Sequence, residues 1–401
     1  LIQNNSNNNN FRATENHKVL LSGEKEQKVS FGVNGKGNSC IANIEITNAS
    51  KEGVVFVNRP CIIGEIADNG NKTTGYINIV DTTKFKENKY NGSIYIIDTY
   101  TFLEGSIYDI GGDLSSNSTV YVNGEVNLKG NLNINGSSNM YINNKLSLEG
   151  NVKIIGARWN EAHIYMQKET SSLKVDGDFS YDGYYASASL TNGIIEVKGD
   201  FSTLYTFESK ENHKIILSGT EKQTVNISDT SKFNILELKN TSEEGVYSEN
   251  SFNKNELILN DSKLTYGRGV FGWKLTKDEV LDSELILVDG TLDLNGHKLT
   301  IKGNLIQEGG EVNINGGTLI VEGDYRIQRR TGEQDNYTYA DSLGILSMTN
   351  ENDKIEVFGS FVTSSLVDHT GKLTAGVLEL KGDLIQNNSN NNNFRATENH
   401  K

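Results

Sequence analysis

Proline is almost missing from this chain, with one residue in 401. Helical periodicity is missing too: no long run of apolar residues recurs at a spacing of 3.6, and the stretch WKLTKDEV (Trp273–Val280) has room for one helical turn at most. Positive charge is short, since 38 basic residues against 52 acidic ones leave a net charge of −14. A sequence-independent nucleic-acid binder needs a basic stripe that displaces counterions, and docking on an anionic membrane surface needs the same sign, so neither class fits. The thin spread of charge serves solubility and mutual repulsion. Cysteine is limited to Cys40 and Cys61, which make neither a CxxC metal pair nor a disulfide framework. The GxSxG, HExxH, P-loop and EF-hand patterns are absent, as is the GGxGxD calcium repeat; GGD at Gly111–Asp113 stands alone. No cofactor, metal or catalytic residue is called for.

What is present is glycine, 40 residues of it, with frequent Asn-Gly pairs and short Ile, Leu and Val runs flanked by polar residues. Such a composition reads as many short strands joined by tight turns. A length of 401 residues exceeds one core of average size, so two or more units are expected.

The chain repeats itself at two levels. ENHKVLLSGEKEQKVSF (Glu15–Phe31) returns as ENHKIILSGTEKQTVNI (Glu211–Ile227), and GIIEVKGDF (Gly193–Phe201) returns as GVLELKGDL (Gly376–Leu384). These divide it into imperfect halves, residues 1–199 and 200–383. The eighteen residues LIQNNSNNNNFRATENHK that begin at Leu1 then recur without change at residues 384–401, a period of 383. Inside each half the period is 20. Val120, Val126, Leu128, Leu132 and Ile134 lie over Met140, Leu146, Leu148, Val152 and Ile154, and Leu292, Leu299 and Ile301 lie over Val312, Leu319 and Val321.

Each 20-residue unit holds three apolar pairs of period 2, separated by NG, KG and NG, where Asn and Gly supply the positive φ of a sharp corner. Three short strands and three corners make one turn of a coil. The predicted fold is therefore all-β: a parallel β-solenoid of about 20–22 residues per turn, right-handed by analogy with known parallel β-helices. A string of immunoglobulin-like sandwiches would space its turns at 8–12 residues and would not recur at 20. A single turn cannot bury its own apolar face, so stability accumulates between neighbours. The spans Gly64–Asn91, Ala157–Leu173, Tyr181–Asn192 and Arg329–Leu343 break the period and are expected as protruding loops or longer turns. The asparagine run Asn4–Asn10 reads as a flexible loop in preference to a corner ladder.

Loops on a rigid scaffold are where function gathers. Tyr181, Tyr184 and Tyr185 share one such loop, Tyr337 and Tyr339 another, and Trp159 lies in a third; these six are candidate contacts for sugar rings or for a partner protein, beside the alternative that they cap the solenoid sides. Asp289, Asp293 and Glu311, and the loop with Arg329, Arg330, Glu333 and Asp335, read as solvated charges rather than catalytic groups. His17, His213 and His400 occupy one repeated ENHK position and read as a structural corner. Cys40 and Cys61 are about one turn apart, which leaves open both a disulfide and two buried core thiols.

The stretch from Trp273 to Gln328, with GVLELKGDL, NHKVLLSGEKEQKVSF and SKFNILELKNTSEEGV, resembles units of very large repetitive extracellular proteins of anaerobic Gram-positive bacteria. In architecture, though not in motif, the expected solenoid resembles adhesins of the filamentous-haemagglutinin type. The resemblance implies an extracellular or cell-surface location and a structural or adhesive role, and it transfers no catalytic residue. Residues 61–110 depart from the pattern. The expected function is that of a structural repeat in an extracellular filament or surface stalk, continuous with adjacent copies of itself and with one 383-residue repeat spanning on the order of 85 Å. The alternative is an adhesin whose Tyr-rich loops bind host or environmental glycans; a polysaccharide-active enzyme ranks third. Two identical segments would compete for one place, so a continuous tandem chain explains them better than complementary ends.

Overall fold

A computed structural model describes residues 1–3, 9–32, 37–156, 161–183, 190–228, 230–249, 252–267, 269–332, 337–387 and 390–401. The chain is all-β, and its parallel strands stack into a β-solenoid of about 16 turns. Among the described residues the helical element is one 3₁₀ turn, Lys86–Asn88. The contacts fall into two compact units: Leu1–Gly219 with Gln223–Glu237 and Phe252–Ile258, and Thr220–Lys222 with Leu238–Ser251 and Leu259–Lys401.

In the first unit each regular turn contributes three strands. Val120–Val122, Glu125–Leu128 and Leu132–Asn135 make one turn, and Asn139–Ile142, Lys145–Leu148 and Val152–Ile155 make the next. The register is the one the 20-residue period dictates: Val120 faces Met140, Val126 faces Leu146, Leu128 faces Leu148, Leu132 faces Val152 and Ile134 faces Ile154. These ten side chains are buried, while the residues between them point outward. Full burial of one such side chain stabilises by about 1.5–3 kcal/mol. Phe179, Phe201, Phe207 and Phe233 fill the upper turns of this unit with ring centroids 4.9–6.3 Å apart.

The second unit repeats the arrangement. Lys298–Ile301 pairs with Thr318–Val321, which pairs with Lys354–Val357 and then Val377–Leu380, with Leu299 on Leu319 and Ile301 on Val321. The nine-residue strand Leu285–Asp293 pairs with both Leu305–Gln307 and Glu311–Asn313. Trp273–Val280 is not helical. Trp273, with its ring buried, is the penultimate residue of the strand Gly269–Lys274; a short bend follows, and Glu279–Leu281 is the next strand. Trp273 and Leu275 of this segment belong to the buried core of Leu, Ile and Val, and that packing overrides local helix propensity.

Two corner types hold the turns together, and the sequence pattern had merged them. At Asn295-Gly296 and Asn315-Gly316 both residues have positive φ (49° and 81°, 46° and 80°), and the turns close through His297 N–H to Leu294 O and Gly317 N–H to Ile314 O, both 2.8 Å. In the turn Val120–Gly136, by contrast, only Gly136 has positive φ. Gly124 and Gly130 are needed for room. A Cβ on Gly130 would lie 2.3 Å from Oδ1 of Asp113, one turn below.

The irregular spans are only partly loops. Gly64–Asn91 lies within residues 61–110, whose strands stack in register: Glu65–Ala67 pairs with Asn43–Ile46, Tyr76–Ile79 with Ser93–Ile96, and Lys84–Phe85 with Glu65–Ala67. Their inward Ile66, Ile77, Ile79 and Phe85 are buried, so this departure from the pattern is one of turn length and not of fold. Arg329–Leu343 does protrude, as an antiparallel hairpin of Arg329–Thr331 and Thr338–Ala340.

Candidate functional site

Of the six aromatic candidates, Tyr181, Tyr337 and Tyr339 lie among the described residues. Tyr181 is 2% exposed. It follows Phe179 by two residues in the strand Phe179–Asp182, so both side chains enter the core, where the Tyr181 ring meets Phe207 at 5.8 Å and burial pushes its phenol pKa up. Its expected outward contact is thereby corrected. Tyr184, Tyr185 and Trp159 lie outside the described residues.

Tyr337 and Tyr339 are 43% and 37% exposed on the protruding hairpin. The guanidinium of Arg330 lies 4.4 Å from the ring centre of Tyr337, and that of Arg326 lies 4.7 Å from that of Tyr339. Arg330 is itself held by Glu284, and Arg326 by Asp324 at 2.7 Å. Planar guanidinium groups on tyrosine faces make the hairpin firm. Beside it lies a cleft of about 610 Å³ lined by Gly267, Ile286, Glu308, Arg330, Thr331 and Tyr337. A second groove, of about 700 Å³, runs over the outer face of the first unit, where Lys89, Lys129 and Lys174 face Asp109, Glu149 and Asp176 and the charges cancel.

The acidic candidates have structural work. Asp293 Oδ1 accepts the Asn295 N–H (2.9 Å) and the Asn315 side-chain amide (3.0 Å), Asp289 Oδ1 accepts the Gly290 N–H, and Glu311 pairs with Lys372 at 3.0 Å. Glu333 and Asp335 lie outside the described residues. The ENHK histidines sit at equivalent corners. Glu15, Glu211 and Glu398 have φ of 52°, 52° and 57°, and each following histidine N–H reaches back three residues, to Thr14, Lys210 and Thr397. His213 is fully buried with neither ring nitrogen hydrogen-bonded, and burial lowers its pKa to about 3. Cys40 and Cys61 do stack on adjacent turns, since Ile41 pairs with Ile62, but both are buried thiols beside Val80 and no bond joins them. Burial pushes the Cys40 thiol pKa up.

Sequence reasoning missed a polar ladder. The backbone N–H of Asn131 donates to Oδ1 of Asp113, that of Asn151 to Asn131, that of Asp178 to Asn151, that of Asp200 to Asp178 and that of Thr224 to Asp200, at 2.7–2.9 Å. The second unit has the same device, with Asp324 on Asn304, Ser360 on Asp324 and Asp383 on Ser360. Every rung except Thr224, which follows Gln223, comes directly after a glycine, and these glycines stack on one another, as Gly199 N–H does on Gly177 O at 3.0 Å. The isolated GGD supplies one rung through Asp113. The signal was a recurring Gly-Asx before the apolar residue that opens one strand of a turn, as in Gly130-Asn131-Leu132 and Gly177-Asp178-Phe179.

The repeated eighteen residues show a complementary use of their two edges. In the first copy, Ile2 and Gln3 pair with Ser30 and Phe31 of the turn that follows, and Lys18 pairs with Asn43. In the second copy, Leu384, Ile385 and Gln386 pair with Phe361, Val362 and Thr363 of the turn that precedes, and Lys401 exchanges backbone bonds with Gly376 and Leu378 (2.9 and 2.8 Å). The local conformation is shared: Phe11 meets His17 edge-on at 6.1 Å, and Phe394 meets His400 edge-on at 6.4 Å. Phe11 packs on Phe31, and Phe394 on Phe361, each at 5.7 Å. Asn4–Asn8 lie outside the described residues, but in the second copy Asn390 and Asn392 bond to Leu366 O and Asp368, and Asn393 is buried, which is a stitched corner rather than a free loop.

No protein-family model, curated protein or solved structure matches this chain.

Proposed function

We propose that the chain is a structural repeat unit of an extracellular filament or cell-surface stalk, built from 383-residue β-solenoid repeats that follow one another in one polypeptide. The observation that supports this reading is the paired use of the repeated segment. Superposed, its two copies give one layer whose lower edge takes Phe361–Thr363 and whose upper edge takes Gln27–Phe31, with the Phe ring between Phe361 and Phe31. One layer then serves as the last of one repeat and the first of the next, and no edge is left open between consecutive repeats. The role is mechanical rather than catalytic, and the principal partner is an adjacent copy. The extracellular or surface location rests on the sequence resemblance. Electron microscopy of the native extracellular material tests the proposal: a fibre with a regular axial repeat is expected, and isolated globules would overturn it.

The hairpin favours a second reading, an adhesin contact. Exposed Tyr337 and Tyr339, held by arginines beside a cleft, could receive a neutral glycan or a partner protein. Unchanged retention on a glycan array after Tyr337→Ala with Tyr339→Ala would dismiss it.

A further inference from the structure

Tyr121, Tyr141 and Tyr165 form a column on the outer face of the sheet built from Tyr100–Phe102, Val120–Val122, Asn139–Ile142 and His163–Tyr165. They face one another in register on three successive turns. Their ring centroids are 4.9 and 4.4 Å apart, with interplanar angles of 16° and 13°. The flanking Val120, Val122, Met140, Ile142 and Ile164 are buried, which anchors each strand, while the three tyrosines are half-buried. Ring faces in this column are spent on one another, so sugars, which stack on an open face, find little platform here. The stack instead keeps phenol beside phenol at the spacing of the sheet, about 4.8 Å. Such fixed proximity replaces a diffusional encounter between two reactive groups.

We propose that this column is an oxidative cross-linking site, at which a peroxidase using hydrogen peroxide couples Tyr141 to Tyr121 or to Tyr165. Each of the two phenols loses one electron and one proton and becomes a tyrosyl radical. The radicals join through a new carbon–carbon bond between positions ortho to the hydroxyls. Each coupled carbon then gives up its hydrogen as a proton while the ring oxygen regains one, which restores both aromatic rings. The pair loses two hydrogen atoms in all, and one hydrogen peroxide becomes two waters. The product is a covalent staple between adjacent turns, which shortens the loops open to the unfolded chain. It stands independently of any filament.

The test treats the full chain, dilute, with peroxidase and hydrogen peroxide, then reads dityrosine fluorescence, intact mass and cross-linked peptides. Peptide mapping is required because the chain has 17 tyrosines. The expected result is a monomer lighter by two hydrogen atoms, with peptides joining Tyr141 to Tyr121 or Tyr165. Tyr141→Phe keeps a ring in the stack, should melt as the parent does, and should lose those peptides. Cross-links confined to other tyrosines, cross-links only between chains, or undiminished intrachain dityrosine in Tyr141→Phe would each overturn the proposal.

Discussion

The backbone N–H of Asp200 donates to Oδ1 of Asp178, one turn below it, at 2.8 Å. The glycine before each explains why the rung fits: a Cβ on Gly199 would lie 2.3 Å from that same Oδ1 and 2.6 Å from the backbone of Gly177. Substitutions at these two positions therefore separate two costs. Asp178→Ala removes an exposed hydrogen bond and should cost about 1 kcal/mol, whereas Asp178→Asn should cost less. Gly199→Ala forces backbone apart and should cost about 1–3 kcal/mol. Urea unfolding of the three variants checks the order, and a Gly199→Ala chain as stable as the parent would contradict it.

Removal of one ring from the aromatic stack should be felt strongly. Phe201 touches Phe179, Phe207 and Phe233 and is 1% exposed. Phe201→Ala should destabilise by about 3–5 kcal/mol, as measured by denaturant unfolding. Because turns are coupled to their neighbours, hydrogen exchange should rise first in the strands beside it, Phe179–Asp182 and Gln223–Asn226.

His213 predicts an acid-sensitive fold. Its pKa falls from 6.5 to about 3 on burial, so the folded chain refuses a proton that the unfolded chain accepts. Stability is then unaffected by this group above pH 6.5, declines as pH drops below it, and levels off near pH 3. Burial lowers His369 and His400 as well, so they add to the same slope. Chemical unfolding at a series of pH values should show a shallower decline for His213→Leu than for the parent chain.

The two cysteines should behave as buried thiols. Cys61 is 0% and Cys40 3% exposed, and alkylation depends on an accessible thiolate. Both should react with iodoacetamide only once the chain is unfolded, as mass spectrometry would show. A native chain that yields no alkylable thiol after unfolding without reductant would contradict this.

How much of this was legible in the sequence follows from what repeats. Val126 over Leu146 and Leu299 over Leu319 were readable because inward positions admit only apolar residues, so the period survives substitution. The ladder was harder to see, since Asn, Asp and Ser exchange freely wherever a single oxygen must accept one N–H, as Asp324 accepts from Ser360 and the Ser360 hydroxyl accepts from Asp383. Tyr181 was misplaced although period 2 from Phe179 points it inward; a cluster of tyrosines outweighed the strand pattern. The column of Tyr121, Tyr141 and Tyr165 was half visible at the offset of 20, and the longer span before Tyr165 hid its third member.

In the proposed filament, the eighteen repeated residues form one layer shared by consecutive repeats. Hydrogen exchange on a chain of two consecutive repeats, which carries three copies of the segment, tests it most directly. The middle copy should be paired on both edges, like Phe361–Thr363 below it and Gln27–Phe31 above it, and should exchange much more slowly than the first and third copies, each paired on one edge. A middle copy that exchanges as fast as the outer two would mean that the repeats do not join through this layer.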